Sequence, residues 1–496
     1  MERRRSAGAE SGSEPLASRA RRAGFWASAD AGVRTVLGFA VTVVLARILQ
    51  PAEFGVLAMA MAFYGLAAVV SDSGVGTALI QRRNITHEEE SAVFFFNLMS
   101  SLLLAACMLG IAPLAASFLR HPELQQIIGM LAGGLLLGAL GSIHVSLLTR
   151  SMQLRTIARV NFWSTLLSGA LAVALALWGF GVYALAWQFL VQSFVQAALL
   201  WTWHPWKPTL VWRMACLPPL LQFGWRWMAA RLIDTAYLQV SNAVVGKVFG
   251  ANDLGLYTRA QSTQQLPTTL LSGVLSRVFL PAFSEASGSR VRLANALARS
   301  SQIAMMVSVP AMLGLALVAE PVVLMLFGPS WSFAAELLRV LCLAGMLMPL
   351  HVLNLSALLA QGRAGLVLRI ELLKKCFALS FFSAACFHGL EAIAWSQVAT
   401  SLVSFFVNAY CCGRTLGFGA WRQIGSLWRV ALAGLIMAAA VAGADLLSPG
   451  FAPVRLAWLV AVGIGTYLFS CLLLQLASIS QIWSAVQSLL RRPTSS

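Results

Sequence analysis

Residues 24–55, GFWASADAGVRTVLGFAVTVVLARILQPAEFG, recur in related form at residues 224–255, GWRWMAARLIDTAYLQVSNAVVGKVFGANDLG. At this offset of 200 residues Arg47 corresponds to Lys247. In each copy the cation is followed by a short break, a carboxylate and a glycine. Because apolar sequence is low in complexity, the shared polar residues at fixed spacing are the stronger sign of an internal repeat.

Two further pairs of segments extend the repeat along the chain. GVYALAW at residues 181–187 resembles GLEAIAW at residues 389–395, and residues 145–160 loosely parallel residues 355–370. The chain is therefore predicted to contain two related six-helix bundles followed by two additional helices. The predicted boundaries are a basic tail at 1–23, bundles at 24–213 and 214–415, the additional helices at 416–480 and a tail at 481–496.

The composition requires lipid around these bundles. The chain has 496 residues, of which 59% are hydrophobic and 11% charged, against about 25% charged in average soluble domains. A spanning helix needs about 20 mostly apolar residues, and the sequence predicts an all-α polytopic membrane protein. We count fourteen candidate spans, roughly 28–49, 53–79, 89–118, 124–148, 156–178, 182–203, 219–248, 252–282, 300–327, 333–360, 366–387, 390–412, 426–447 and 456–477.

The formal net charge of +17 is explained by membrane orientation better than by nucleic acid, since the basic residues lie mainly in short connectors. With the basic tail placed in the cytoplasm, most arginines and lysines of the connectors fall on the inner side. An even number of spans with both termini inside keeps the basic connectors on the inner side and the connectors with few basic residues on the outer side. An even number of helices in each half also makes the halves parallel repeats, and such proteins usually bind substrate between them.

The sequence lacks the common motifs of nucleotide-binding and catalytic sites. It contains no GxxxxGK[ST] nucleotide loop, no HExxH and no GxSxG, and its eight cysteines lack metal-ligand spacing. We expect a transporter that has no cofactor, no metal and no covalent catalysis.

Ionisable residues inside the predicted spans are the candidate functional residues, because each costs about 2.5–3.5 kcal/mol to insert. Arginines there suit an anionic group such as phosphate, since the planar guanidinium donates paired hydrogen bonds. Helix–helix contacts or snorkelling are the alternative explanation, and Arg231 and Asp234, one turn apart, are spaced to pair with each other. The candidate substrate-binding residues are Asp30, Arg34, Arg231, Asp234, Arg259 and Arg277.

The last two spans differ from the others because they have no charged residue between residues 430 and 444 or between residues 456 and 474. Gly434, Gly443, Gly463 and Gly465 allow close approach of a backbone or of a lipid chain. Ordinary lipid-facing helices are the simpler interpretation of these residues alone.

Residues 48–86, ILQPAEFGVLAMAMAFYGLAAVVSDSGVGTALIQRRNIT, resemble the entry segment of bacterial polysaccharide flippases, the polysaccharide-transport branch of the multidrug/oligosaccharidyl-lipid/polysaccharide (MOP) exporter superfamily. Leu49, Pro51, Glu53, Phe54 and Gly55 match its L-x-P-x-[DE]-F-G pattern. GANDLGLYTRAQ, RVFLPAFS and the region around Val318 also resemble the branch, in particular its lipopolysaccharide and colanic-acid exporters.

The resemblance implies that the chain carries an oligosaccharide linked to undecaprenyl diphosphate across the bacterial inner membrane. The headgroup would pass between the halves, and the prenyl tail would lie in a groove made with the last two helices. Arginines of helices 1, 2, 7 and 8 line the cavity in related flippases, but the second predicted helix here has no central arginine. Implied partners are the lipid-linked substrate, membrane lipids and the polysaccharide polymerase or export machinery.

Three other functions remain open at this point. A multidrug/cation antiporter of the same superfamily predicts twelve helices and an acidic cavity. A membrane polymerase or ligase predicts a large external loop, whereas the longest outside connector here is about ten residues by our count of spans. A non-catalytic scaffold leaves the intramembrane arginines unexplained.

Overall fold

The computed structural model describes residues 16–72, 74–82, 85–209, 217–447 and 452–474. Within these ranges the regular elements are helices, and no strand is present. The first eight are α1 Leu16–Ile48, α2 Pro51–Asp72, α3 Val75–Gln81, α4 His87–Leu119, α5 Glu123–Arg150, α6 Leu154–Leu177, α7 Val182–Trp203 and α8 Leu217–Phe249. The remaining helices are α9 Ala251–Ala286, α10 Arg290–Leu317, α11 Ala319–Phe327, α12 Ser332–Met346, α13 Met348–Ala360, α14 Ala364–Ala385, α15 Leu390–Leu416, α16 Ala420–Leu446 and α17 Ala452–Leu473.

The all-α membrane architecture predicted from the sequence is confirmed. In the described part of the chain, eleven helical segments are long and apolar enough to cross a bilayer. Helices α8, α9 and α14 are of similar or greater length but are not among them. The total of fourteen spans therefore stays a prediction.

Both copies of the opening repeat form a long helix, a short break and a second helix. In the first copy α1 ends at Ile48 and α2 begins at Pro51, where a proline is favoured because the first turn needs no N–H donor. The Glu53 side chain accepts a hydrogen bond of 2.7 Å from the backbone N–H of Gln50. In the second copy the break falls at Gly250, whose φ of +93° suits glycine.

Two predicted spans are divided in the structure. The predicted span 300–327 is α10 followed by the short α11, and the predicted span 333–360 is α12 followed by α13. Pro321 and Pro349 lie in the first turns of α11 and α13. Proline has no N–H to donate to the carbonyl four residues earlier, and each of these prolines lies just after the preceding helix ends.

The chain divides into two compact units, residues 1–255 and 256–496. Helix α8 belongs to the first unit, where it packs along α2. The bundle boundaries predicted from the repeat at 24–213 and 214–415, and the separate 416–480 segment, stay predictions.

Helix α5 is the core of the first unit and packs against α2, α3, α4 and α7. Leu124, Ile127, Ile128 and Leu131 are buried along one of its faces, at the spacing expected of a helical stripe. Helix α4 instead exposes apolar side chains such as Leu103, Leu114 and Phe118. This surface suits contact with lipid tails.

In the second unit α10, α12, α13 and α15 pack around one another. Leu337, Leu338, Leu341 and Cys342 of α12 are buried there. Helix α16 packs on α10, and α17 packs on α16. The last two helices thus form a layer attached to α10.

Candidate functional site

Asp30 of α1 accepts hydrogen bonds from a side-chain amide of a neighbouring helix. Asn161 Nδ2 of α6 donates to Asp30 Oδ1 at 3.1 Å and to Oδ2 at 3.3 Å. Gln196 Nε2 of α7 donates in turn to Asn161 Oδ1 at 3.4 Å. Asp30 therefore has a clear structural contact within the first unit, and its predicted role in substrate binding is untested.

Arg34 lies one turn further along α1 and is exposed, as are Val33 and Val36. Among the residues that the structure describes, none pairs with its guanidinium group. An exposed, uncompensated guanidinium within a predicted span is available to an anionic ligand.

Arg231 of α8 pairs with a carboxylate of another helix. Its Nη1 lies 3.1 Å from Oδ2 of Asp72, the last residue of α2, and about half of each side chain is exposed. The sequence spacing indicated Asp234 as a possible partner of Arg231. The ion pair that forms is with Asp72, because α8 packs along α2 and brings that carboxylate to it. Asp234 is exposed on α8.

The two remaining candidate arginines lie on α9. Arg259 is half-buried, near its first third. Arg277 lies near the opposite end of the same helix, and its side chain is outside the described residues. The six candidates are thus distributed over α1, α8 and α9, and the predicted lining of a cavity by all six is untested.

Sequence analysis missed an ion pair in the centre of α14. Lys374 Nζ lies 2.6 Å from Glu371 Oε1, and the Lys374 side chain is only 11% exposed. The segment RIELLKKCF at residues 369–377 carries four charges within the first half of the predicted span 366–387. This density of charge was visible in the sequence and should have placed both residues among the candidates.

A groove lies between α10, α16 and α17 in the second unit, with a volume of about 800 Å³. This volume falls within the range of about 300–1,000 Å³ typical of ligand sites. Its lining is apolar and includes Val307, Gly314, Val441, Gly463 and Ile464. Because side chains of Val307 and Ile464 are also exposed, the groove is continuous with the lipid-facing surface.

Polar contacts hold the walls of the groove in place. The Tyr467 hydroxyl of α17 donates to the Met306 carbonyl oxygen of α10 at 2.9 Å. The Asn354 and Gln423 side chains, both buried, exchange amide hydrogen bonds of 3.1 and 3.0 Å. Buried amides satisfied in this way fix one geometry, and this pair fixes α16 against α13.

Comparison with known proteins supports the same architecture. A family profile described as "polysaccharide biosynthesis protein" matches residues 44–336. The teichuronic acid biosynthesis protein TuaB of Bacillus subtilis is 27% identical over 410 residues, covering 81% of this chain and 85% of the relative. The lipopolysaccharide biosynthesis protein WzxC of Escherichia coli is 25% identical over 416 residues, covering 81% and 83%. The succinoglycan biosynthesis transport protein ExoT of Rhizobium meliloti is 30% identical, covering 63% and 64%.

Solved structures of low sequence identity share the fold. The lipid II flippase MurJ in an inward closed conformation superposes with a TM-score of 0.75 at 14% identity, covering 94% of this chain and 99% of that one. An inward-facing multidrug resistance MATE family transporter of the MOP superfamily gives a TM-score of 0.62 at 17% identity, covering 78% and 96%. The predicted superfamily fold is confirmed by these likenesses.

Proposed function

Because the chain belongs to the polysaccharide biosynthesis protein family, we propose that it is a flippase for an oligosaccharide linked to undecaprenyl diphosphate. The carried unit would be an O-antigen or exopolysaccharide repeat. It would move from the cytoplasmic to the periplasmic leaflet of the bacterial inner membrane by alternating access, with both termini of the protein in the cytoplasm. No covalent step is needed, and a polysaccharide polymerase or export machinery would receive the product.

The apolar groove is the observation that carries this proposal. A polyprenyl chain gains about 0.8 kcal/mol for each CH₂ that it buries. The groove of about 800 Å³ offers it an apolar wall made of α10, α16 and α17. A soluble drug that crosses the membrane without a lipid anchor has no need of such a lipid-facing groove beside the bundle.

The charged residues support an anionic headgroup. Exposed Arg34 and half-exposed Arg231 are suited to a diphosphate, whose oxygens accept paired hydrogen bonds from guanidinium groups. A hydroxyl-rich sugar also needs a hydrated path, since each unsatisfied hydroxyl costs about 4–8 kcal/mol in an alkane-like medium. The multidrug/cation antiporter stays the second candidate, supported by the fold shared with the MATE transporter.

The test is deletion of the gene in its own host, followed by analysis of lipid-linked intermediates and surface glycan. We expect an undecaprenyl-diphosphate-linked repeat to accumulate on the cytoplasmic leaflet and surface glycan to fall, both reversed by the intact gene. Drug susceptibility of the same strain is the comparison. Unchanged glycan and lipid intermediates, together with increased drug sensitivity, would reject the flippase in favour of the antiporter.

A further inference from the structure

Helix α2 of the first unit runs antiparallel to α8 and, at its own first turn, meets the start of α9. Contacts join Pro51 to Gly255, Met59 to Gly246, and Gly65 to Gln239, and the ion pair joins Asp72 to Arg231. The sum of the two residue numbers falls only from 306 to 303 along this series, as a single antiparallel register requires. Gly255 lies near the start of α9. We refer to the contacts of α2 with α8 and with the start of α9 together as the α2–α8 interface.

Glycines make the interface close. A Cβ atom at Gly255 would overlap the carbonyl oxygen of Pro51, and one at Gly246 would lie 2.6 Å from Met59 Cε. A Cβ at Gly65 would lie 2.6 Å from Gln239 Nε2. Glycines that let a neighbouring backbone or side chain approach so closely stabilise helix pairs in membranes through van der Waals contact.

The last contact of the series is of another kind. The pair between Asp72 and Arg231 joins one guanidinium nitrogen to one carboxylate oxygen, and both side chains are about half exposed. Such a monodentate, hydrated pair is weak. An anion that presents several oxygens pairs more strongly with a guanidinium group, since two of its N–H groups can donate parallel hydrogen bonds to the anion.

The Asp72 side of the pair is anchored. Ser71 and Ser101 share a hydrogen bond of 2.5 Å that attaches the end of α2 to α4. Helix α2 then ends, and the chain turns through Gly74, whose φ is +67°. Helix α8 also packs on α3 at this end. Because Asp72 is fixed to the first unit, the loss of its ion pair removes the ionic contact of α8 there and loosens this end of the interface.

We propose that Asp72 and the diphosphate of the substrate compete for Arg231, so that substrate binding separates the α2–α8 interface at its Asp72 end. This inference rests on the proposed function for the identity of the anion. Asp72 acts as a positioning residue, which holds Arg231 and the closed interface until a phosphate replaces it. The orientation predicted from the connectors puts this end on the cytoplasmic side, where the substrate is made.

The experiment measures disulfide formation across the interface in the full chain, with native cysteines replaced, in lipid nanodiscs. Gly65→Cys with Gln239→Cys reports on the half near the ion pair. Met59→Cys with Gly246→Cys reports on the opposite half and is the matched control. The probes are undecaprenyl diphosphate and, as the neutral lipid of equal chain length, undecaprenol.

We expect undecaprenyl diphosphate to slow disulfide formation at 65/239 about two- to five-fold, as the loss of one exposed ion pair allows. Undecaprenol should have no effect, and the 59/246 pair should react at the same rate throughout. Asp72→Asn should slow disulfide formation at 65/239 even without lipid, and undecaprenyl diphosphate should then cause no further slowing. Asp72→Glu should keep the wild-type rate without lipid and the wild-type slowing by undecaprenyl diphosphate.

Equal rates at 65/239 with and without the diphosphate would overturn the inference, as would equal slowing of both cysteine pairs. The wild-type measurement with the two lipids decides the question even if Asp72→Asn fails to fold. Transport by the same protein separates the two proposals. A chain that exports glycan with an unresponsive interface contradicts only the competition, and a chain that exports none contradicts the proposed function.

Discussion

At the scale of single residues, the environments of Arg34 and Arg231 differ although the sequence treats them alike. Arg231 has the Asp72 carboxylate at 3.1 Å, and Arg34 is exposed on α1 with no pairing partner among the described residues. Removal of Arg34 therefore breaks no ion pair among the described residues. Its effect should appear in substrate binding and leave the stability of the fold nearly unchanged.

We predict that Arg34→Ala lowers glycan export about ten-fold or more, because a hydrogen-bonded charge is worth about 1.5–3 kcal/mol. Arg34→Lys should recover part of the export, since lysine keeps the positive charge but cannot donate the paired hydrogen bonds of a planar guanidinium group. The measurement is surface glycan in the deletion strain at equal protein level in the membrane. Val36→Ala, at another exposed position of α1, is the control, and equal export by all three variants would remove Arg34 from the site.

Spacing along one helix was sufficient to identify candidate residues but insufficient to identify their partners. The sequence marked Asp30 and Arg231 as ionisable groups within spans, and both lie on helices as predicted. Their partners Asn161 and Asp72 are more than a hundred residues away, so only the packing of α1 on α6 and of α2 on α8 reveals them. Lys374 is different, because its charge lay in a predicted span and was overlooked.

At the scale of elements, hydrophobicity predicted the position of most helices but not the breaks within them, and residues 329–360 still count as one segment long and apolar enough to cross the bilayer. The spans at 300–327 and 333–360 read as continuous apolar segments, yet Pro321 and Pro349 divide them. The groove also could not be located from sequence, since its walls come from α10, α16 and α17 together. The glycines of α16 and α17 indicated only that a backbone or lipid chain can approach.

We predict that Gly314→Leu on α10 fills the groove and lowers export about ten-fold. A Cβ at Gly314 meets no atom within 4 Å, so the new side chain enters open space and the fold should be retained. Displacing two carbons of a buried prenyl chain costs about 1.6 kcal/mol, roughly a fifteen-fold loss of binding. The check is glycan export with thermal unfolding measured in parallel.

Gly465→Leu is the matched control for the groove, because Gly465 is exposed on α17 and also has no atom within 4 Å of its Cβ position. It should export glycan normally. If Gly314→Leu also exports normally while folded, the prenyl chain does not occupy the groove.

At the scale of the whole molecule, the number of spans depends on α8, α9 and α14, the long helices that are not among the eleven apolar segments of the described residues. Whether α14 crosses the bilayer decides on which sides of the membrane the connectors before and after it lie. If it crosses the bilayer, Arg363 and His388 at its two ends lie on opposite sides of the membrane. If it does not, they lie on the same side, and the termini are no longer both cytoplasmic.

We predict opposite sides, because the Lys374–Glu371 pair reduces the cost of burying two charges at the centre of α14. In a cysteine-free chain, an impermeant thiol reagent added outside spheroplasts should label His388→Cys and leave Arg363→Cys unlabelled until the membrane is opened. Asn252→Cys, at the α8–α9 break, should also be labelled from outside. Labelling of both Arg363→Cys and His388→Cys from one side would remove α14 from the spans, and the two six-helix bundles would no longer be equivalent.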